Sequence, residues 1–315
     1  MGLTIGVDIG GTKVAAGVVD EQGRILARAL AATPAGDARA VVETIVGSVA
    51  RLVDEFTVEA VGLGAAGFID AGRSTVLFAS NLSWRDEPLR AVVARRVGLP
   101  VVVENDANAA AWAESRFGAG TGEPDLALVT VGTGIGGGIV LDGRLYRGRF
   151  GVAGEFGHIR VVPDGLLCGC GNRGCWEMYA SGNALVRQAR EMVAAGSPRV
   201  AGLLARVGGD PSAITGPVVT DAATAGDPGA IELFEDVGRW LGVGLAGLSS
   251  VLDPGRFVIG GGVAEAGELL LGPCRETYLT SLPGRGHRPE AQIVGASLGN
   301  DAGLVGAADL ARHRS

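Results

Sequence analysis

Residues 3–13 read Leu3-Thr4-Ile5-Gly6-Val7-Asp8-Ile9-Gly10-Gly11-Thr12-Lys13. Apolar and small residues alternate up to Ile9, which predicts a strand, and Gly10-Gly11-Thr12 breaks it. Val14 to Val19 reads as a second strand, Asp20-Glu21-Gln22-Gly23 as a turn, and Arg24 to Ala31 as a third strand. Farther along, the same opening returns. Leu126 to Val131 is a strand ending in Gly132-Thr133-Gly134, and strand Gly138–Leu141, turn Asp142-Gly143 and strand Arg144–Arg147 follow. Two copies of one strand, glycine turn, strand unit suggest two α/β lobes gripping one polyanion. The expected division is a small lobe over 1–118, joined by a C-terminal helix at 300–315, and a large lobe over 119–299. Gly118 to Pro124 is the expected hinge, with a second crossing near Gly299.

A chain of 315 residues suffices for two lobes, each near the usual domain size of roughly 100–150 residues. Apolar residues make up 47% and charged residues 19%, which is ample for a core. A net charge of −7 argues against a nucleic-acid or anionic membrane partner. The most apolar stretch, Trp240 to Leu252, is glycine-rich and too short to span a bilayer, so it reads as a buried helix. No secretory leader pattern is evident, and a cytoplasmic location is expected.

The glycine turn after Asp8 could bring backbone N–H groups against phosphate oxygens, with Thr12 adding a hydroxyl and Lys13 a compact charge. Lys13 is the only lysine in the chain. Asp8, at the strand end, could hold magnesium through water. The plainer alternative is an ordinary hairpin, but Gly132-Thr133-Gly134 at the equivalent place favours phosphate binding. Gly260-Gly261-Gly262 follows a third strand and could approach a nucleoside or α-phosphate at a helix N-terminus, or could serve tight packing. Asn105-Asp106 stands where strand Val101–Glu104 meets a helix. Either residue could be an N-cap; alternatively, Asp106 is a general base for a hydroxyl and Asn105 holds its neighbour.

The sharpest signal is Cys168-Gly169-Cys170-Gly171-Asn172-Arg173-Gly174-Cys175-Trp176-Glu177, preceded by Glu155-Phe156-Gly157-His158. Cys168, Cys170, Cys175 and His158 supply a closed tetrahedral set for zinc, with no vacant position, so the ion would be structural. Glu155 and Glu177 flank this clip. Their carboxylates suit sugar hydroxyls, with an outer shell of the metal site or a solvated ion pair as the alternative.

Together the Asp8–Lys13 loop, the Asn105-Asp106 pair, Glu155–His158 and the Cys-x-Cys-Gly-x-x-Gly-Cys-x-Glu run resemble the ROK family (repressors, open reading frames, kinases) over essentially the whole chain. Within that family the sequence looks most like the bacterial glucose kinases. The resemblance implies two actin-like (RNase H-like) lobes with a cleft between them, and phosphorylation of glucose on its 6-hydroxyl by ATP with Mg²⁺ and a structural Zn²⁺. It implies Asp106 as base and Gly67, Asn105, Asp106, Glu155, His158 and Glu177 around the sugar, with Ser80-Asn81 nearby. It places Gly10, Gly11, Thr12, Lys13, Thr133, Gly134, Gly260, Gly261 and Gly262 at the nucleotide, and it implies a homo-oligomer, a dimer or dimer of dimers. Phe68 stands where kinases for N-acetylmannosamine carry arginine, which favours an unacetylated hexose. Alternatives are a kinase for fructose, mannose or an N-acetylhexosamine, or a sugar-responsive binding protein without turnover. Repressor members carry a DNA-binding domain ahead of the phosphate loop; here that strand begins at residue 3, which favours the kinase.

Overall fold

In the computed structural model, which describes residues 2–34, 36–79 and 82–313, the alternation of the first strand becomes two faces. Ser80-Asn81, expected beside the sugar, lie outside the described residues. Strand β1 (Leu3–Ile9) is followed by β2 (Lys13–Val19), β3 (Ile25–Ala32), α1 (Ala38–Val53) and β4 (Val58–Ala65). A small three-stranded sheet comes next, β5 (Phe68–Ile69), β6 (Val76–Ala79) and β7 (Trp84–Glu87), then α2 (Leu89–Val97), β8 (Val101–Asn105) and α3 (Asp106–Phe117). Strands β9 (Leu126–Val131), β10 (Ile135–Leu141) and β11 (Arg144–Tyr146) open the second half. It continues through α4 (Glu177–Ala180), α5 (Gly182–Ala194), α6 (Ala201–Arg206), α7 (Gly216–Thr224), α8 (Pro228–Leu252), β12 (Arg256–Gly260), α9 (Glu268–Ser281) and β13 (Gln292–Gly295) to α10 (Ala302–Arg312).

The duplication is visible in the strand orders, β3-β2-β1-β4-β8 and β11-β10-β9-β12-β13. Counted within each sheet, the third, second, first, fourth and fifth strands lie side by side. β1 and β2 are antiparallel, whereas β1–β4, β4–β8 and β12–β13 are parallel.

By contacts the chain divides into two compact units, Met1–Leu128 with Gly138–Gly154 and Ala296–Ser315, and Val129–Gly137 with Glu155–Gly295. This differs from the division expected at Gly118–Pro124 and Gly299. The reason is Glu114, fully buried in α3. Its carboxylate accepts from the backbone of Ala119 at 2.7 Å, Ser297 at 3.0 Å and Leu298 at 2.8 Å. A buried carboxylate satisfied by three N–H groups holds both presumed crossings to the first unit.

In the first unit Ile5, Val7 and Ile9 pack with Val41, Ile45 and Val49 of α1 in one apolar cluster. The opposite face of β1 carries Thr4, Gly6 and Asp8. There α10 comes so close that a Cβ at Gly6 would collide with the Leu304 carbonyl, and one at Gly62 with the Ala307 carbonyl. Gly6 and Gly62 are register partners, so the two bare positions form one groove.

In the second unit α8 explains its glycines similarly. Gly238 and Gly242 admit the backbone of α9, and Gly244 admits the buried Trp176 ring. Among the described residues no helix is long and apolar enough to cross a membrane.

Close packing of this kind tolerates little added volume. Gly62→Ala is expected to destabilise the protein by about 2 kcal/mol in chemical denaturation. Gly47→Ala in α1, where a Cβ would meet nothing within 4 Å, is expected to be neutral or stabilising. Equal effects from the two substitutions would remove the helix-on-backbone account.

Candidate functional site

The described residues place the singled-out positions in two groups, one in each unit. In the first, Asp8 ends β1 and Asp106 opens α3. The loop between β1 and β2 is stapled by Gly10 N–H to Lys13 O at 3.0 Å and by the Thr33 hydroxyl to Gly10 O at 2.7 Å. Gly11, Thr12 and Lys13 are left exposed. Desolvation pushes the Asp8 carboxyl up to about 6, the neighbouring Asp106 charge adds to the rise, and Lys13 opposes it. Burial also pushes Asp106 above the usual carboxylate range, against the stabilising hydrogen bond from Ala107 N–H at 2.9 Å. Asp8 is thus a hard oxygen donor beside a second carboxylate and a lysine, a setting that suits a hydrated divalent cation.

Asn105 serves as the N-cap of α3, its Oδ1 accepting from Asn108 N–H at 3.0 Å, while its Nδ2 donates to Gly67 O at 3.1 Å. Capping and substrate contact are therefore not exclusive, since a side-chain amide has a second N–H and a second lone pair. The structure brings Gly67 and Asn105 together. Phe68, next to Gly67, is half-exposed, with its ring centroid 6.2 Å from that of Phe78, over which Arg85 lies at 4.0 Å.

In the second unit His158, Cys168, Cys170 and Cys175 converge, with one ligand atom from each lying within 4.8 Å of the others. Cys170 Sγ is 3.6 Å from Cys175 Sγ, and Cys168 Sγ is 3.7 Å from His158 Nδ1. Four ligands about 2.3 Å from one centre form a tetrahedron with edges of about 3.8 Å, so the donor set fits one zinc-sized ion. The clip is pinned by Cys168 N–H to Asn172 O at 2.8 Å, Trp176 N–H to Ile159 O at 2.8 Å, and Trp176 Nε1–H to Trp240 O at 2.8 Å. Glu177 turns Oε1 toward the cluster, 3.0 Å from Cys168 Sγ and 3.6 Å from His158 Nδ1. Its Oε2 lies where a Cβ on Gly134 would stand, at 2.5 Å. Glu155 precedes the short 3-10 helix Phe156–His158, and its carbonyl accepts from His158 N–H at 3.2 Å.

A cleft of about 530 Å³ opens in the same unit, lined by Gly132, Thr133, Gly182, Asn183, Gly216, Thr220, Asp221, Gly262 and Glu265, with Leu185, Val186, Pro217 and Val263 as apolar walls. Of the expected nucleotide positions in this unit, Thr133 and Gly262 line it, while Gly134, Gly260 and Gly261 are not among its lining residues. Gly261 instead packs against Val131, whose carbonyl a Cβ would meet at 2.5 Å. The run also opens the 3-10 helix Gly262–Ala266, and α9 starts only at Glu268.

Sequence reasoning missed Asn183, Pro217, Thr220 and Glu265, which carry no motif. It also missed Glu104, Arg73 and Arg147, described below.

The ROK family matches residues 4–314. The glucokinase of Streptomyces coelicolor is 54% identical over 313 residues, which are 99% of this chain and 98% of that one. The glucokinase of Thermotoga maritima is 37% identical over 317 residues, 98% and 97% of the two chains. The crystal structure of a ROK family glucokinase from Streptomyces griseus in complex with glucose and AMPPNP superposes with a TM-score of 0.90 at 58% identity, over 99% of this chain and 100% of that one.

The Asp8 assignment has a titration consequence. Because its folded value lies above that of an ordinary carboxylate, its contribution to stability is present below the ordinary value and is lost as pH rises through about 6. By carboxyl-detected NMR, Asp106→Asn should lower the Asp8 midpoint by removing a like charge, and Lys13→Met should raise it. A midpoint that ignores both substitutions would separate these groups.

Proposed function

The chain belongs to the ROK family, and from that premise we propose that it is an ATP-dependent kinase that phosphorylates glucose on its 6-hydroxyl. One observation carries the chemistry: Asp106, raised by burial at the first turn of α3, lies near Asp8, and Asp8 in turn lies near the chain's only lysine. A hydroxyl nucleophile needs a positioned carboxylate, and a transferring phosphoryl group needs fixed positive charge.

In this reading Asn105, Glu155, His158 and Glu177 hold sugar hydroxyls, and Gly67 bounds the sugar at its 1- and 2-positions. The nucleoside occupies the cleft formed by Thr133, Leu185, Val186, Pro217 and Gly262, whose apolar walls suit a flat base and whose acids suit ribose hydroxyls. The loop Gly10-Gly11-Thr12-Lys13 and the turn Thr133-Gly134 serve the phosphates. Asp106 accepts the proton of the 6-hydroxyl as O6 bonds to the γ-phosphorus and the bond to the β,γ-bridging oxygen breaks, releasing ADP. Positioning and charge supply most of the acceleration, because the loose transition state offers little covalent work to the protein. Asp8 would hold Mg²⁺ through water; when bound, that ion neutralises charge on the phosphates.

Zinc belongs to the same reading as a structural ion on His158, Cys168, Cys170 and Cys175. Its work there is to fix the His158 ring and the chain between Glu155 and Glu177, leaving the outward imidazole nitrogen for a hydroxyl.

Glucose-dependent release of ADP tests the activity, with fructose, mannose and N-acetylhexosamines in parallel; the highest kcat/KM is expected for glucose. Asp106→Asn should lower turnover by about 100-fold or more, with fold and glucose affinity retained. Near-normal turnover in that variant, with loss in Asp8→Asn, would exchange the two roles.

For the metal, protein purified without added metal is expected to contain about one zinc per chain. Cys170→Ser should lose both the zinc and glucose binding while nucleotide affinity changes less. Metal-free protein that binds glucose normally would overturn the assignment.

A further inference from the structure

Glu104 immediately precedes the Asn105-Asp106 pair, and its side chain is 1% exposed. It does not stand alone in the interior. Arg147 Nε lies 2.9 Å from Oε1 and 2.8 Å from Oε2, and Arg73 Nε lies 3.1 Å from Oε2. The Arg147 side chain is 9% exposed and that of Arg73 22%. Arg73 sits in the left-handed backbone region, with φ of 52°. A carboxylate between two guanidiniums is a poor way to stabilise an interior, since desolvation of the ions offsets most of their attraction. Strained backbone and buried ions together point to a demand on geometry.

The remaining contacts say which geometry. Glu104 Oε1 accepts from the Asn105 backbone N–H at 3.0 Å and from Asn108 Nδ2 at 3.1 Å. One carboxylate oxygen thus grips the peptide at which β8 becomes α3, together with the next turn of that helix. The other two arms of Arg147 donate to carbonyls of the segment after β5, NH1 to Ala71 O at 3.1 Å and NH2 to Asp70 O at 3.0 Å. Asn105 Nδ2 closes the circuit at Gly67 O. Every direction of the Arg147 fork is used, and each ends on chain adjoining Gly67, Asn105 or Asp106. Lysine has no planar fork and cannot span these three acceptors.

We propose that Arg147 is a positioning residue that, through Glu104, sets the placement of Asn105 and Asp106 and ties the Gly67–Ala71 segment to them. This inference rests on the assignment of Asp106 as base and Asn105 as glucose ligand. Arg147 touches no reacting atom; its effect is on where the hydroxyl meets its base.

The test is steady-state kinetics on the whole enzyme with glucose and ATP varied separately. Arg147→Lys keeps the cation and loses the fork. Its glucose KM is expected to rise about tenfold and its kcat to fall about tenfold, the scale of a small misplacement, with ATP KM unchanged. A purely structural role would lower the melting temperature and the yield of active enzyme while leaving both KM values alone. Should Arg147→Lys fold poorly, Glu104→Gln with Arg147→Met removes one negative and one positive charge together. The proposal expects its melting temperature to return toward the parent while glucose KM and kcat stay impaired. Recovery of kinetics in step with stability would overturn it, as would normal kinetics in Arg147→Lys. Asp106→Asn runs alongside. If that variant turns over normally, the base assignment falls and this proposal with it. If it is inactive while both Arg147 variants are normal, the base stands and the positioning role alone is rejected.

Discussion

A helix reaches backbone contact with a sheet only where the sheet lacks side chains beneath it, and in the first unit that condition is met along α10. Gly6 and Gly62 face the carbonyls of Leu304 and Ala307, and Gly306 of α10 faces the carbonyl of Ala109 in α3. The helix is therefore clamped between β1, β4 and α3 at distances fixed by atoms that cannot adjust. Its end is locked by ions and hydrogen bonds. Asp309, 1% exposed, accepts from Trp112 Nε1–H at 2.9 Å and Arg312 at 2.7 Å, and Arg312 reaches Thr4 Oγ1 and Val19 O, each at 3.0 Å. The electrostatics of Asp8 follow from this packing. A Cβ on Gly303 would stand 3.4 Å from the Asp8 carboxyl, so α10 strips water from one side of that group and raises its affinity for a proton or a cation.

The second unit uses the same device around a larger side chain. Gly244 leaves room in α8 for the Trp176 ring, and the indole N–H finds the Trp240 carbonyl, so an aromatic with a polar edge is buried without an unpaired donor. Trp176 lies between Cys175 and Glu177. Its anchorage fixes a thiol of the Cys/His cluster on one side and a carboxylate on the other. Glu177 in turn fills the space beside Gly134, so the soft-ligand cluster and the glycine turn of β9–β10 form one continuous packed region. Loss of order at the cluster would reach that turn through Glu177.

Much of this was legible in the sequence because the signals were local. Period-two alternation marked β1, and the repeated glycine turn marked the duplicated strand order. The Cys168–Cys175 run marked a cluster, and the structure brings its three thiols together with His158. Asn105-Asp106 was legible as a cap or a catalytic pair, and Asn105 is a cap. The unit boundary was not legible, because Gly118–Pro124 has a linker's composition and only the buried Glu114 carboxylate shows that it packs with α3. Nor was the cleft of the second unit, whose walls come from α5, α7 and the chain after β12, segments far apart with ordinary apolar residues. Gly260-Gly261-Gly262 read as a ligand loop or a tightly packed turn, and Gly261 does pack against Val131. Glu104 could not be read at all. A glutamate after three valines looks like the solvated end of a strand until Arg147 and Arg73 arrive from elsewhere.

Asp8 and Asp106 are two carboxylates close enough to interact, with different neighbours. Both are desolvated, and each ionised carboxylate penalises the other, so the site favours one negative charge over two until positive charge arrives. Lys13 stands on the Asp8 side and lowers that group, whereas Asp106 is lowered only by backbone N–H groups, those of Ala107 and of Asp106 itself. Positive charge brought near Asp8 therefore favours ionisation of both acids. The acid with Lys13 near it suits a metal ion, and the acid raised by burial suits a proton. On the proposed reading the two carboxylates differ by their neighbours rather than by residue type, so neither aspartate read by itself indicates a role.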